Sequence, residues 1–306
     1  MQNTIDTPVC FEGTGLHSGR PSRMTIRPAS ADHGIWFHRV DVNDRDAMIP
    51  ALWDVVEPTQ LCTRLVNTAG VSVSTVEHVM AALAGCGIHN AIVEIDGPEV
   101  PILDGSSAPF VRAMVARGIR PQNAPVRAIE ILRPVRVQIG DGTAALLPSD
   151  RLTIEFHIDF AEAAIGRQSK TLDMANGAFA RELCDSRTFC RHRDVEMMQQ
   201  NGLALGGSLD NAVVFDGNTV MNPGGLRHVD EAVRHKMLDA LGDLALAGLP
   251  LLGRYVGARA GHSLTNALLR ALFGNPAAFR MVECDISTAA SLPGRGLISS
   301  EVPQVA

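Results

Sequence analysis

In the stretch VDEAVRHKMLDALGDLALAG, residues 229–248, ionisable side chains stand where an ordinary core helix has none. From Met237 onward the stretch is nearly all apolar, yet His235, Asp239 and Asp243 recur every fourth residue and so share one stripe of a helix. A carboxylate carried into a packed interior is strongly destabilising unless a partner compensates it. For a His and an Asp one turn apart, the natural partner is a metal cation. The plainer alternative is an i, i+4 ion pair on a solvated face, with an ordinary cap at Asp243.

A second stretch, STVEHVMAALAG at residues 74–85, bears on that choice. Ser74 or Thr75 can cap a helix there, Glu77 lies at the capping-box distance from Ser74, and Val76, Val79, Met80, Ala82 and Leu83 make an apolar face. Taken alone, it reads as a capping-box glutamate beside an incidental histidine. Taken with 229–248, His78 completes a three-ligand set with His235 and Asp239. A fourth position is left for water, the catalytic rather than the structural arrangement for zinc. Glu77, beside a ligand without being one, is then placed to handle that water's proton, as the glutamate of an HExxH motif does, although this stretch is not that motif.

The chain that must position these residues has 306 of them, more than one core usually organises, so two domains are expected. They are read as residues 1–120 and 127–284, separated by the linker-like GIRPQNAPVR at 118–127 and followed by a loose tail over 285–306. Strands are expected at 9–14, 24–27 and 35–38, then the 74–85 helix, a strand at NAIVEID and a helix over 107–117. The second half repeats this grammar, with strands near 129–139, 144–147 and 152–160, then helices. RPVRVQIGDGTAALLPSD echoes GLHSGRPSRMTIRPAS in its strand, turn and strand, a hint of internal duplication. The alternation favours a layered α/β or α+β architecture. NAVVFDGNTVMN reads as a hairpin turning at 216–218, and GLALGGS as a glycine-bounded strand or loop. His17, in the loop GLHSGRP, reads as a solvated loop histidine. Phe179, Leu183, Val195 and Met198, at helical spacings, read as core.

Nearly half the residues are apolar, as in a soluble globular protein. The formal net charge is −6 with Lys and Arg dispersed apart from RHRD at 191–194, which argues against nucleic-acid binding. Six cysteines form no CxxC pair and no secretory framework, and no run is long and apolar enough to span a bilayer. A cytoplasmic, non-membrane-spanning protein is expected.

Together with GLH, ILDGSSAPF, SRTF, GLALGGS and GHSLTN, the ordered set STVEH, HKMLDALGD and GH closely resembles the UDP-3-O-acyl-N-acetylglucosamine deacetylases, zinc amidases of lipid A synthesis, over about residues 11–283. The resemblance implies an α+β fold of two similar layered sheet-plus-helix domains, with zinc at their junction. It also implies a small βαβ insert in the second, within residues 176–222, forming an apolar passage for the acyl chain. By position, His78, His235 and Asp239 would be the zinc ligands, one ion per chain with Fe2+ as the alternative, and Glu77 the general base. His262 would protonate the leaving amine or stabilise charge, supported by Asp243, and Thr188 would help hold the oxyanion. Lys236 would meet the substrate's phosphates and Phe160 the uridine. The acyl passage would run along Phe189, His192, Val195, Met198, Ala204, Ser208, Leu209, Ala212 and Val214. The partner implied is a UDP-linked acylated amino sugar, met by a monomer.

Three departures touch the rim of that site and none touches the metal or base positions. Arg20 replaces a Lys, AEAA at 161–164 replaces an Asn-His-Pro run, and Cys190-Arg191 replaces Gly-Phe. Arg191 is expected at the mouth with its charge in water. The competing readings are a zinc hydrolase of another amide, such as a peptidase, and a non-catalytic zinc-stabilised binding protein. Lys236 and the apolar GLALGGS argue against the first, and the second has no use for Glu77.

Overall fold

A computed structural model describes residues 1–304. Its first large sheet runs, edge to edge, Val9–Thr14, Pro21–Pro28, Ala91–Ile95, Ile35–Arg39 and Met48–Pro50. Alternation sets its inner face: Ser22, Met24 and Ile26 point inward from Pro21–Pro28 while the residues between them stay more exposed. The second large sheet repeats the path. Val135–Ile139 and Gly142–Pro148 form its hairpin, Leu251–Ala258 lies antiparallel to the hairpin's second strand and parallel to Thr153–Asp159, and Arg167–Asp173 closes that side. Arg127–Ile131 and Phe279–Glu283 extend the other side.

Seven helices among the described residues complete the molecule: α1 (Glu77–Gly85), α2 (Ala108–Arg117), α3 (Ala178–Glu182), α4 (His192–Gln200), α5 (Glu231–Ala245), α6 (His262–Phe273) and α7 (Ile286–Ala290). In each large sheet the inner strand delivered last, Ala91–Ile95 or Leu251–Ala258, is preceded by a core helix and followed by another, so α1 corresponds to α5 and α2 to α6. The echo between the two hairpin sequences is thus carried by matching topology. The α+β class and the paired layered halves agree with expectation.

One continuous buried cluster links both sheets through the helices. Its centre is the packing of α1 on α5, the most extensive between any two helices. Gly242 permits that approach, since a Cβ there would run into the backbone carbonyl of Glu77. The βαβ insert is present: Phe189–Arg191 pairs in parallel with Val213–Asp216, α4 makes the crossover, and Thr219–Val220 turns back antiparallel after Gly217. GLALGGS is loop, not strand.

Two expectations fail here. The 118–127 stretch is no free linker, because Ile119–Pro121 pairs with Asn3–Ile5 and the Gln122 side chain both accepts from Asn90 Nδ2 and donates to the Ala29 carbonyl, at 2.8 Å each. An amide side chain joins both directions of hydrogen bonding, so a polar Gln read as linker composition serves as a tie. The tail after Cys284 is not loose as far as residue 304. Asp285 caps α7 by accepting from the Thr288 N–H, and Leu292 and Val302 are buried. Residues 305 and 306 of that expected tail lie outside the described residues.

Candidate metal centre and active-site cavity

The helix of the STVEH stretch starts two residues later than a capping box requires. Ser74 ends a strand, Thr75 takes a left-handed φ of 58°, and the cap position falls on Val76 with no side-chain cap bond. Glu77 is therefore released from capping. Its Oε2 accepts from the Thr63 N–H at 3.0 Å, and its Oε1 lies 3.7 Å from His262 Nε2. The solvated-face reading of α5 fails as plainly, because His235, Asp239 and Asp243 are 2%, 4% and 3% exposed.

His235 Nδ1 lies 3.0 Å from the Ser186 carbonyl, which can only accept, so Nδ1 carries the proton and Nε2 keeps a lone pair. That lone pair faces Asp239 Oδ1 at 3.2 Å, and His78 Nε2 stands 3.6 Å from the same oxygen. Burial, reinforced by His235, pushes His78 down to about 3, and burial lowers His235 as well, so neither ring carries a second proton and neither brings a positive charge to Asp239. The buried carboxylate oxygen on which the two rings converge has no hydrogen-bond partner. The ligand atoms of His78, His235 and Asp239 all lie within 4.8 Å of one another. Such a donor set fits a divalent cation and, without one, is electrostatically frustrated. Although burial opposes it, the Lys236 ammonium helps hold Asp239 below the usual carboxylate range. Lys236 Nζ donates to Asp239 Oδ2 at 2.7 Å, so the lysine expected at the substrate's phosphates is here engaged by Asp239.

Beside this triangle sits an acid–base cluster. Burial pushes Glu77 up to about 7, against the pull of His262. Burial would lower His262, but Asp243 and Glu77 outweigh it and hold the ring up to about 9. Asp243 is the hinge of the cluster, with Oδ2 on His262 Nδ1 at 2.8 Å and Oδ1 accepting from the Thr63 hydroxyl at 2.6 Å.

These groups open onto a cavity of about 860 Å³. Thr188, Lys236, Phe160 and every residue expected along the acyl passage lie on its wall, and Phe160 meets Phe189 edge to face at 5.6 Å. Arg191 adds an ion pair to what was expected. It lies on the cavity wall with its side chain 34% exposed, but its charge is also paired with Asp194 Oδ2 at 2.5 Å, with Glu162 3.9 Å away. Glu162, from the AEAA departure, also pairs with Arg193 at 2.9 Å, so the two departures form one ion-paired patch. Arg20 is exposed at the surface.

Sequence reasoning misplaced His17 and missed Thr63, Glu99 and Ser186. His17 is 9% exposed and lines the cavity, because the buried carboxylate of Glu99 accepts from the N–H groups of His17 and Ser18 at 2.8 and 2.7 Å and folds the loop inward. Glu99 also accepts from the Thr75 hydroxyl at 2.9 Å, fixing the entry to α1. The turn-rich GLHSG was the available signal for the loop. For Thr63, 180 residues from Asp243, there was none.

Comparison with known proteins accords with this geometry. A family model described as UDP-3-O-acyl N-acetylglycosamine deacetylase (LpxC) matches residues 2–274. The chain is 51% identical over 281 residues to the UDP-3-O-acyl-N-acetylglucosamine deacetylase of Phenylobacterium zucineum (strain HLK1), covering 92% of this chain and 96% of the relative. It is 45% identical over 303 residues to the enzyme so named in Anaeromyxobacter sp. (strain Fw109-5), covering 99% and 98%. The one from Shewanella sp. (strain ANA-3) is 45% identical over 300 residues, covering 96% and 98%.

Proposed function

We propose the following for a chain that belongs to the UDP-3-O-acyl-N-acetylglucosamine deacetylase family: it hydrolyses the acetamide of a UDP-3-O-(3-hydroxyacyl)-N-acetylglucosamine to the free amine and acetate, the committed step of lipid A biosynthesis. The observation that carries this reading is the convergence of His78, His235 and Asp239 beside Glu77 and His262 on the wall of one apolar cavity.

His78, His235 and Asp239 would hold one Zn2+ per chain, with Fe2+ the alternative, and the bound ion would polarise the acetamide carbonyl and make a water acidic enough to ionise near neutral pH. Glu77 takes a proton from the attacking water. Its proton affinity, raised by burial to about 7, suits that task, and the Thr63 N–H on Oε2 leaves Oε1 on the His262 side. His262, held up to about 9, is protonated at neutral pH and gives its Nε2 proton to the departing amine. Thr188 is placed on the wall to donate to the developing oxyanion. The apolar insert covers the acyl chain and Phe160 the uridine. Lys236 has two claims on it, Asp239 within the protein and the phosphates of the substrate.

No helix among the described residues is long and apolar enough to cross a membrane, which accords with a cytoplasmic enzyme. We read the halves on either side of 118–127 as its two domains, and the enzyme as a monomer. The reading is tested by acetate release from the UDP-linked acylated substrate. Turnover that ceases on chelation and returns with Zn2+ supports it. A metal-loaded protein that releases no acetate overturns it.

A further inference from the structure

Thr63 touches both acid–base groups of the site from one position. Its N–H donates to Glu77 Oε2 at 3.0 Å and its hydroxyl donates to Asp243 Oδ1 at 2.6 Å. Its carbonyl accepts, at 3.4 Å, from the N–H of Val76, the cap residue of α1. The second oxygen of Asp243 meets His262 Nδ1 at 2.8 Å, and His262 Nε2 lies 3.7 Å from Glu77 Oε1. Thr63, Asp243, His262 and Glu77 thus close into a ring. The direction of the hydroxyl bond follows from chemistry, because an ionised carboxylate only accepts.

We infer that Thr63 is a positioning residue for the acid–base pair. Its hydroxyl fixes the terminal torsion of Asp243, which is otherwise broad and roughly two-fold, so that Oδ2 faces His262 Nδ1 and the ring presents Nε2 toward Glu77. This rests on the amide-hydrolysis reading, in which His262 delivers the proton. Thr63 is 3% exposed, so without its hydroxyl Asp243 Oδ1 is left buried and unpaired. The carboxylate then turns or draws His262 away from its working pose. Thr63 is not on the cavity wall and forms no bond to His78, His235 or Asp239, so its loss should spare substrate binding and metal affinity.

The test compares Thr63→Val, which removes the hydroxyl while keeping the branched shape and the N–H, with Thr63→Ser, which restores it. On the UDP-linked acylated substrate, Val should lower kcat about 10- to 100-fold with KM and metal content held within about twofold, and Ser should return most of the loss. The hydrogen-bonded Nδ1 proton resonance of His262 gives a readout free of turnover, present in wild type and Ser and shifted or lost in Val. If Val does not yield folded protein, Thr63→Ala makes the same deletion without the bulk. Wild-type kcat in the hydroxyl-less variant, a Ser variant as impaired as Val, or loss of metal alongside activity would overturn the inference. A wild-type protein without turnover would defeat the hydrolysis reading instead, and the His262 resonance would still decide the role of Thr63.

Discussion

The two layered halves share a strand path, yet they divide the site unequally. From α1 come two adjacent residues at the very start of a 9-residue helix, Glu77 and His78. From α5, 15 residues long, comes a stripe down the middle, His235, Asp239 and Asp243. Only a helix of several turns can present groups at i, i+4 and i+8 on one buried face, so the longer helix carries two of the three proposed ligands and the carboxylate bonded to His262. The shorter one carries the proposed base, Glu77, and its start is bonded to the loop carrying Thr63. The hairpins differ as well. In the first half a longer connection, pulled in by Glu99, brings His17 to the cavity, whereas the second half turns tightly after Ile139 and places its extra chain in the βαβ insert. Duplication of a scaffold thus leaves each copy free to specialise at its loops and helix ends, while the α1–α5 contact must stay close.

The most severe break in that division removes a ligand from either side. His78→Ala on α1 or Asp239→Ala on α5 should each abolish bound metal and acetate release together, since one missing protein ligand of three forfeits most of the affinity. Metal analysis and turnover on the same sample check this, and full occupancy in either variant would remove that helix from the metal site. Next in size is the contact itself. Gly242→Ala should force α5 away from the Glu77 carbonyl, destabilising the fold by about 1–3 kcal/mol and weakening metal retention. Unfolding midpoint and metal content measure it, and a variant as stable and as metal-loaded as wild type would mean that the approach tolerates slack.

The insert sharpens the comparison on the second half's side. Ala212→Trp should raise KM for acylated substrate by about tenfold or more over any change for a non-acylated counterpart, because each methylene denied cover forfeits about 0.8 kcal/mol. Equal losses on both substrates would make that wall ordinary core. The smallest expected effect lies at the start of α5, where the buried carboxyl of Glu231 is bonded by Arg187 Nε at 2.9 Å and by the Arg227 N–H at 2.7 Å. Burial pushes that carboxyl up, but Arg187 and the N–H groups prevail and hold it below its ordinary 4.5. A depressed folded pKa means its stabilisation is complete above about 4.5 and fades as pH falls through the folded value. Glu231→Gln should therefore unfold more easily than wild type at neutral pH, with the gap narrowing in acid. A gap independent of pH would show that Glu231 acts by shape rather than charge.

Much of this site was legible because helical periodicity makes a buried ionisable stripe conspicuous, and α5 carries one within fifteen residues. The strand expected at 24–27, within the observed Pro21–Pro28, and the turn at Gly217 were legible for a similarly local reason. What escaped was held by bonds between distant residues. Thr63 reaches Asp243 across 180 positions, and Glu99 reaches His17 across 82, with nothing in either neighbourhood to announce it. The tail and the 118–127 stretch read as loose because their anchors, the Asp285 cap and the Gln122 amide, are polar residues of the kind that loops also contain.

The central claim is that α1 provides a base distinct from the ligands it neighbours. Glu77→Gln, assayed for bound metal and for acetate release from the UDP-linked acylated substrate in one preparation, tests it most directly. The amide fills the same space but cannot take a proton, so metal should stay at the wild-type level while turnover falls about 100- to 10,000-fold. Near wild-type turnover, or loss of metal in step with activity, would contradict the claim.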